Sequence, residues 1–153
     1  MTYTRRHLLT LAAAAPTLTL LGRAAWAATP PVYQSRGVAV DGTDVVAYHT
    51  DARPMAGKAD ISHDWMGVTW RFTSEDNRDA FAADPVRYAP QYGGYCAYAV
   101  SEGYTASTIP DAWQIVDGKL YLNYSRRIQR RWERDIPGRI AAADANWPAV
   151  LSA

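Results

Sequence analysis

The first 27 residues have the organisation of an export signal rather than of a folded element. Arg5 and Arg6 precede an apolar stretch from Leu11 to Leu21, and Ala25-Trp26-Ala27 forms a small-x-small cleavage motif. The apolar stretch is shorter than the about 20 residues that a membrane-spanning helix needs. We therefore predict a signal peptide over 1–27, which after cleavage leaves no transmembrane segment and about 126 residues to fold.

The paired arginines followed by leucines are typical of the twin-arginine pathway, which exports proteins that have already folded. The alternative is an ordinary signal for unfolded chains that happens to hold two arginines. The twin-arginine interpretation predicts a periplasmic protein that folds in the cytoplasm before its export.

Composition indicates one domain that folds without disulfide bonds. Loss of Arg5, Arg6 and Arg23 lowers the basic count from 16 to 13 against 15 acidic residues, so the net charge becomes about −2. This charge does not favour a nucleic-acid partner. About 126 residues suit a single domain with one core. Cys96 is the only cysteine, so no internal disulfide can form.

Short β-forming runs between turn signals predict antiparallel hairpins. Pro30 and Pro31 indicate a flexible leader over 28–36, ahead of a domain over 37–150. Asp117-Gly118 between two alternating runs is a strong hairpin signal. The predicted strand segments are 38–40, 45–48, 59–63, 68–72, 92–100, 113–116 and 120–124.

Two serines mark the starts of predicted helices. Ser74 precedes two acidic residues and predicts a helix that runs to Ala83. Ser125 begins a second helix, which Pro137 is expected to kink or divide. Together with the hairpins, this predicts a small α+β domain with two or three helices. The apolar stripe of the second helix consists of Ile128, Trp132, Ile136, Ile140, Ala143 and Trp147.

The same helix carries a run of arginines opposite its apolar stripe. A charge run of this kind is either a solvated face or a surface for a protein partner or an anionic lipid. The run consists of Arg126, Arg127, Arg130, Arg131 and Arg134.

The segment from Phe72 to Tyr88 resembles the YHS domain. The core pattern of that family is an aromatic pair, Cys-Ser, a second cysteine three residues after that serine, and then a phenylalanine, a proline and a tyrosine. The wider chain over 38–48, 88–100 and 113–147 is similar to a group of exported bacterial YHS-domain proteins. The matching residues are Phe72, Thr73, Ser74, Phe81, Pro85 and Tyr88.

The resemblance implies a YHS-like fold over 37–150 and an association with heavy-metal handling, notably of copper. Thr73 and Asn77 stand at the two cysteine positions of the family. Hydroxyl and amide groups are poor substitutes for the thiolates that hold Cu(I) or Zn(II). The resemblance therefore supports the fold better than it supports the family's metal site.

A different metal site would have to use Cys96, His49 and His63, the only cysteine and the only histidines after the signal. These side chains would bind copper or zinc if the fold brought them together, with Met55 or Met66 as a thioether ligand. Their sequence spacing shows none of the close pairs typical of metal motifs. The alternative is a buried thiol and two surface histidines.

A candidate ligand pocket combines a glycine pair with surrounding polar and aromatic residues. The glycines allow close approach of a ligand to the backbone, and the tyrosines offer polar tips on apolar bodies. The alternative is that the acidic residue caps a turn or pairs with an arginine, while the tyrosines complete the core. The pocket candidates are Asp44, Tyr48, Tyr92, Gly93, Gly94, Tyr95 and Tyr98.

Three functions are compatible with this sequence. The first is an exported soluble binding or accessory domain of YHS type, with copper as the expected ligand. The second is a structural module that docks a protein partner through the helix face from Arg126 to Arg134. The third is a thiol-dependent enzyme with Cys96 as nucleophile and a histidine as its base. No cysteine-hydrolase signature surrounds Cys96, so an enzyme is the least favoured of the three.

Overall fold

A computed structural model describes residues 28–153, and the predicted signal peptide over 1–27 lies outside them. A four-stranded sheet forms one layer, with the strand order β1 (Gln34–Ser35), β2 (Val38–Ala39), β4 (Val68–Phe72) and β3 (Lys58–Trp65). β2 and β4 run parallel, with Val38 opposite Thr69, and the other pairs are antiparallel. The predicted hairpin over 59–72 is confirmed.

A second hairpin joins β5 (Trp113–Val116) to β6 (Lys119–Leu122). The two turn residues between them, Asp117 and Gly118, both have positive φ angles, of 51° and 75°. This is the backbone geometry in which a two-residue turn follows the twist of its strands. The Asp-Gly signal therefore predicted this hairpin correctly.

Six α-helices lie within residues 28–153. They are α1 (Val45–Thr50), α2 (Glu75–Ala83), α3 (Pro85–Tyr88), α4 (Ala97–Ser101), α5 (Arg126–Trp132) and α6 (Ile136–Asn146). Short 3₁₀ turns cover Val40–Gly42, Gln91–Gly94, Glu133–Asp135 and Ala149–Ser152. The predicted α+β class is confirmed, whereas the predicted number of helices, two or three, was too low, because short helices replace some of the predicted strands and loops.

Capping explains the helices that the sequence predicted. The Ser74 hydroxyl accepts from the Asn77 amide at 3.1 Å, and the Ser125 hydroxyl accepts from the Ile128 amide at 3.2 Å. Both are side-chain caps of the orphan amides in a first helical turn. Pro137 lies in the first turn of α6, where its missing N–H costs no hydrogen bond, and α5 and α6 are separate helices as expected.

Two predicted strands are helices instead. The 45–48 segment belongs to α1, because the Asp44 carboxylate caps that helix by accepting from the Val46 and Ala47 amides. The second half of the 92–100 segment is α4, whose Tyr98 amide donates to the side chain of Asn123 at 3.2 Å. The cap of α4 thus comes from a residue 25 positions further along the chain.

The core consists of two packed clusters. The first cluster lies between the four-stranded sheet, α1 and α2, with Tyr48, Trp70, Phe72 and Phe81 fully buried. The second cluster lies between α4, β6, α5 and α6 and contains the rest of the aromatic core. Its buried members are Tyr92, Tyr95, Ala97, Val100, Tyr121, Trp132, Ala143 and Val150.

The segment predicted as a flexible leader is part of the fold. Val32 is buried in the first cluster, and the Tyr33 amide donates to the Gly93 carbonyl at 2.9 Å. β1 then pairs with β2 through Gln34 and Ser35. The two prolines suggested flexibility, but burial of the apolar residues beside them keeps this segment in place.

Candidate functional site

Cys96 lies at the N-terminus of α4 and is buried, with 1% of its surface exposed. Its thiol donates to the Asn123 side-chain oxygen at 3.6 Å, and its sulfur accepts from the Tyr124 amide at 3.2 Å. Burial raises the pKa of the Cys96 thiol, which outweighs the opposite effect of nearby backbone amides. A protonated, enclosed thiol is neither a good nucleophile nor a good metal ligand.

The two histidines have aromatic neighbours on the first cluster. The His49 ring, on α1, meets Tyr88 edge-on with 5.4 Å between ring centroids. The His63 ring, on β3, lies 6.2 Å from the Phe81 ring centroid. Burial lowers the pKa of His49, and the charge of Arg87 acts in the same direction.

No group of three or more His, Cys, Asp or Glu side chains is placed to hold a metal ion among residues 28–153. The predicted ligands Cys96, His49 and His63 contact Asn123, Tyr88 and Phe81, respectively. These surroundings do not fit a copper or zinc site, and the predicted metal site gains no support from them. It stays a prediction.

Asp44 is the centre of a buried hydrogen-bond network. Its carboxylate is fully buried, and one oxygen accepts 2.8 Å hydrogen bonds from the Thr73 amide, the Thr73 hydroxyl and the Asn77 side chain. The other oxygen caps α1. Thr73 and Asn77, which the predicted YHS resemblance matches to cysteines, thus donate to a carboxylate of the same chain. This closed network satisfies the buried polar groups without a metal.

The predicted tyrosine pocket is filled by the chain itself. The hydroxyls of Tyr48 and Tyr95 donate to the carbonyls of Pro110 and Pro30, and Tyr92 donates to Asp144, each at 2.8 Å. Burial raises the pKa of each of these three phenols. These three tyrosines are therefore held by hydrogen bonds within the core, although Tyr92 also borders an apolar cleft.

Gly93 and Gly94 allow a close backbone approach, but the approaching group belongs to the same chain. A side chain at position 93 would place its Cβ 1.9 Å from the Pro31 carbonyl oxygen, and one at 94 would meet Val40 at 2.5 Å. Gly93 also borders a small apolar cleft of about 190 Å³. Trp65, Trp70 and Trp147 form its aromatic walls.

The arginines of α5 and of the 3₁₀ turn that follows it form an open charged surface. All five predicted members are exposed, and Arg126 donates to the Asp111 carbonyl at 3.2 Å. Across the described part of the chain, ion pairs form only at Arg78–Asp79 and Arg139–Glu102. None of these five arginines therefore forms an ion pair with a carboxylate within residues 28–153. We call Arg126, Arg127, Arg130, Arg131 and Arg134 the arginine surface.

Two polar grooves flank this surface. One, of about 500 Å³, is lined by Arg127, Arg130, Arg131, Glu133 and Arg134. The other, of about 510 Å³, lies against α4 and α6 and is lined by Tyr98, Arg131, Arg134, Asp135, Gly138, Arg139 and Ala142. Arg131 and Arg134 line both grooves.

Arg139 is a member of this site that the sequence did not indicate. Its guanidinium lies 4.4 Å from the centre of the Tyr98 ring, donates to the Ser101 hydroxyl at 3.2 Å and pairs with Glu102. Arg139 follows Pro137 and lies outside the predicted run, so only the packing of α6 on α4 shows that it belongs. Of the predicted pocket residues, Tyr98 alone lines this groove.

The fold and the site together define a small α+β domain with an arginine-lined double groove. In comparisons with known proteins, no family model, no curated protein and no solved structure gives a significant match to this chain. Within residues 28–153, every helix is too short or too polar to cross a lipid bilayer.

Proposed function

We propose that this protein is an exported, non-catalytic docking domain that binds an acidic partner protein through the arginine surface. The observation that carries this proposal is the set of five exposed arginines without a carboxylate partner in the described chain. Like charges on neighbouring helical positions repel one another. An anionic partner relieves that repulsion, and guanidinium groups bind carboxylates in a bidentate geometry.

The chemistry elsewhere in the molecule supports binding rather than catalysis. An enzyme that used Cys96 would need an accessible thiolate, whereas this thiol is buried and its pKa is raised. A copper-handling role would need soft ligands that converge, whereas Thr73 and Asn77 donate to Asp44. Binding of an acidic partner to the arginine surface requires neither an accessible thiolate nor converging soft ligands.

A protein partner suits this surface better than a lipid bilayer does. Helices that bind bilayers place large apolar side chains beside their basic residues. On α5, Trp132 is fully buried and Ile128 is half-buried, so the arginines have no exposed apolar neighbour on their own helix. The arginines also line both grooves, where one acidic side chain or peptide can contact several guanidinium groups. The predicted export signal implies that such a partner is periplasmic.

Binding to immobilised polyglutamate tests the proposal. The affinity should fall steeply between about 50 and 300 mM NaCl, because exposed charges are screened over that range. The triple variant R127Q/R131Q/R134Q should bind at least about tenfold more weakly. The matched control R53Q/K58Q/R87Q removes three exposed charges elsewhere and should stay within about twofold of the wild type.

Equal losses in the two triple variants would show that net charge, not the arginine surface, controls binding, and would contradict the proposal. Treatment with EDTA separates docking from a metal-dependent role, since the docking proposal predicts unchanged affinity. Circular dichroism of both variants checks that α5 remains folded.

A further inference from the structure

Three of the five arginines follow one face of the helix as a row. Arg127, Arg131 and Arg134 are separated by four and three residues, and such positions lie on one face of a helix. Successive members therefore leave the helix about one turn, or about 5.4 Å, apart. The row crosses from α5 into the 3₁₀ turn at Glu133–Asp135. We call these three residues the arginine row.

Both grooves open along this row. Arg127 lines the first groove, and Arg131 and Arg134 line both. A ligand that lies along the row therefore meets guanidinium groups from either side. Three arginines spaced one helical turn apart can contact several carboxylates of one short peptide at the same time. A single small anion cannot reach all three.

Arg139 closes the second groove with a donor group that is already held in place. Stacking on Tyr98 and the bonds to Ser101 and Glu102 fix its guanidinium before any ligand arrives. Arginine has five N–H donors, so this group keeps donors free for a carboxylate. A fixed donor loses little conformational entropy on binding.

Glu133 and Asp135 lie beside the row and lower its net charge, but their carboxylates have partners other than its arginines. The Glu133 carboxylate accepts from the Gln129 side chain at 2.9 Å. The Asp135 carboxylate accepts from the Gly138 amide at 3.1 Å as the N-cap of α6. Neither forms an ion pair with an arginine within residues 28–153.

We infer that the arginine row recognises an extended acidic segment whose carboxylates occupy alternate positions. This inference rests on the proposed docking function. In an extended chain, side chains on one face recur every two residues, at about 6.6 to 6.8 Å. Flexible arginine side chains bridge the difference from the about 5.4 Å of the helical turn. In a segment with adjacent acidic residues, half of the carboxylates point away from the row.

Two fluorescent peptides of equal length and composition test the spacing. One alternates Glu with Ser, and the other alternates pairs of Glu with pairs of Ser. Fluorescence anisotropy at low salt should show the alternating peptide binding about fivefold more tightly. R127Q/R131Q/R134Q should lose this preference, while R53Q/K58Q/R87Q should keep it. R139K, which retains the charge without the planar group, should weaken binding of the alternating peptide.

The outcomes separate this inference from the proposed function. Equal affinity for both peptides, lost in the arginine-row variant, would overturn the spacing and leave the docking function standing. Absence of binding to either peptide would overturn both. Binding to vesicles of equal parts phosphatidylglycerol and phosphatidylcholine, without binding to the peptides, would also overturn both and identify a membrane surface as the partner.

Discussion

Asp44 is the residue on which most buried polar contacts of the first cluster depend. It is fully buried and accepts from two amides of α1, from the amide and hydroxyl of Thr73, and from the side chain of Asn77. A buried carboxylate is tolerated when donors surround it in this way. The same contacts join α1 to the segment that leads into α2.

Asp44→Asn should lower the free energy of unfolding by about 2–4 kcal/mol. An amide nitrogen in place of either oxygen cannot accept hydrogen bonds, so at least two buried donors lose their partner. Urea unfolding measures the effect. Asp60→Asn, at an exposed position of β3, is the control and should change stability by less than about 0.5 kcal/mol. A similar small effect at both positions would contradict the role given to Asp44.

His49 should make stability depend on pH. Burial holds the pKa of His49 below its ordinary value of 6.5, so the unfolded chain binds this proton more readily than the folded protein does. The free energy of unfolding should therefore fall as the pH drops below about 6.5. Urea unfolding at about pH 7.5 and pH 5.5 measures this, and His49→Gln should show a smaller fall. An identical fall in both proteins would exclude His49 as its source.

At the level of elements, two segments predicted as strands, 45–48 and the second half of 92–100, form the short helices α1 and α4, and each has a side-chain cap. α1 contains the β-forming run Val45-Val46, and α4 contains the β-formers Tyr98 and Val100; the three valines are buried in the core. The intrinsic preference of these residues for strands contributes little free energy. Capping of a helix N-terminus and burial of apolar side chains contribute more. Asp44 supplied a local cap signal for α1, whereas Asn123 caps α4 from a distant position.

The 3₁₀ turn at Gln91–Gly94 connects the first cluster to the second, and Gly93 is the residue it depends on. Gly93→Ala should destabilise the protein by about 2–4 kcal/mol, because its φ of +62° is unfavourable and its Cβ would strike the Pro31 carbonyl. Gly118 has a φ of +75°, but a Cβ added there would have no atom within 4 Å. Gly118→Ala should therefore lower the free energy of unfolding by only about 1–2 kcal/mol. Thermal unfolding of the two variants compares them. Equal costs would mean that the contact with Pro31 is unimportant.

At the level of the whole molecule, the N-terminal segment holds the two clusters together. Tyr33 packs against both, and its hydroxyl donates to the Asp41 carboxylate. Burial, together with Asp41, raises the pKa of Tyr33 to about 12. Further along this segment, the Thr29 amide donates to the Leu151 carbonyl, close to the other end of the described chain.

Deletion of residues 28–33 should therefore lower the free energy of unfolding by at least about 3 kcal/mol. The deletion removes the buried Val32 side chain, the packing of Tyr33 and several hydrogen bonds. Chemical denaturation of the shortened protein, compared with a protein that begins at Ala28, measures the loss. Unchanged stability would restore the interpretation of this segment as a flexible leader.

Local patterns in the sequence were sufficient for much of the fold. Ser74, Ser125, Pro137 and Asp117-Gly118 each act through neighbours a few residues away, so the elements they predict are present. The α+β class followed from the order of these elements. The arginine run was also visible, because its spacing on one helix needs no tertiary information.

Tertiary structure decided what local patterns cannot express. The cap of α4 by Asn123, the burial of Cys96 and the closure of Gly93 against Pro31 join residues far apart in sequence. Likewise, Arg139 enters the groove only because α6 packs on α4. Short-range preferences are properties of a segment alone, whereas burial, long-range caps and grooves depend on which segments the completed core brings together.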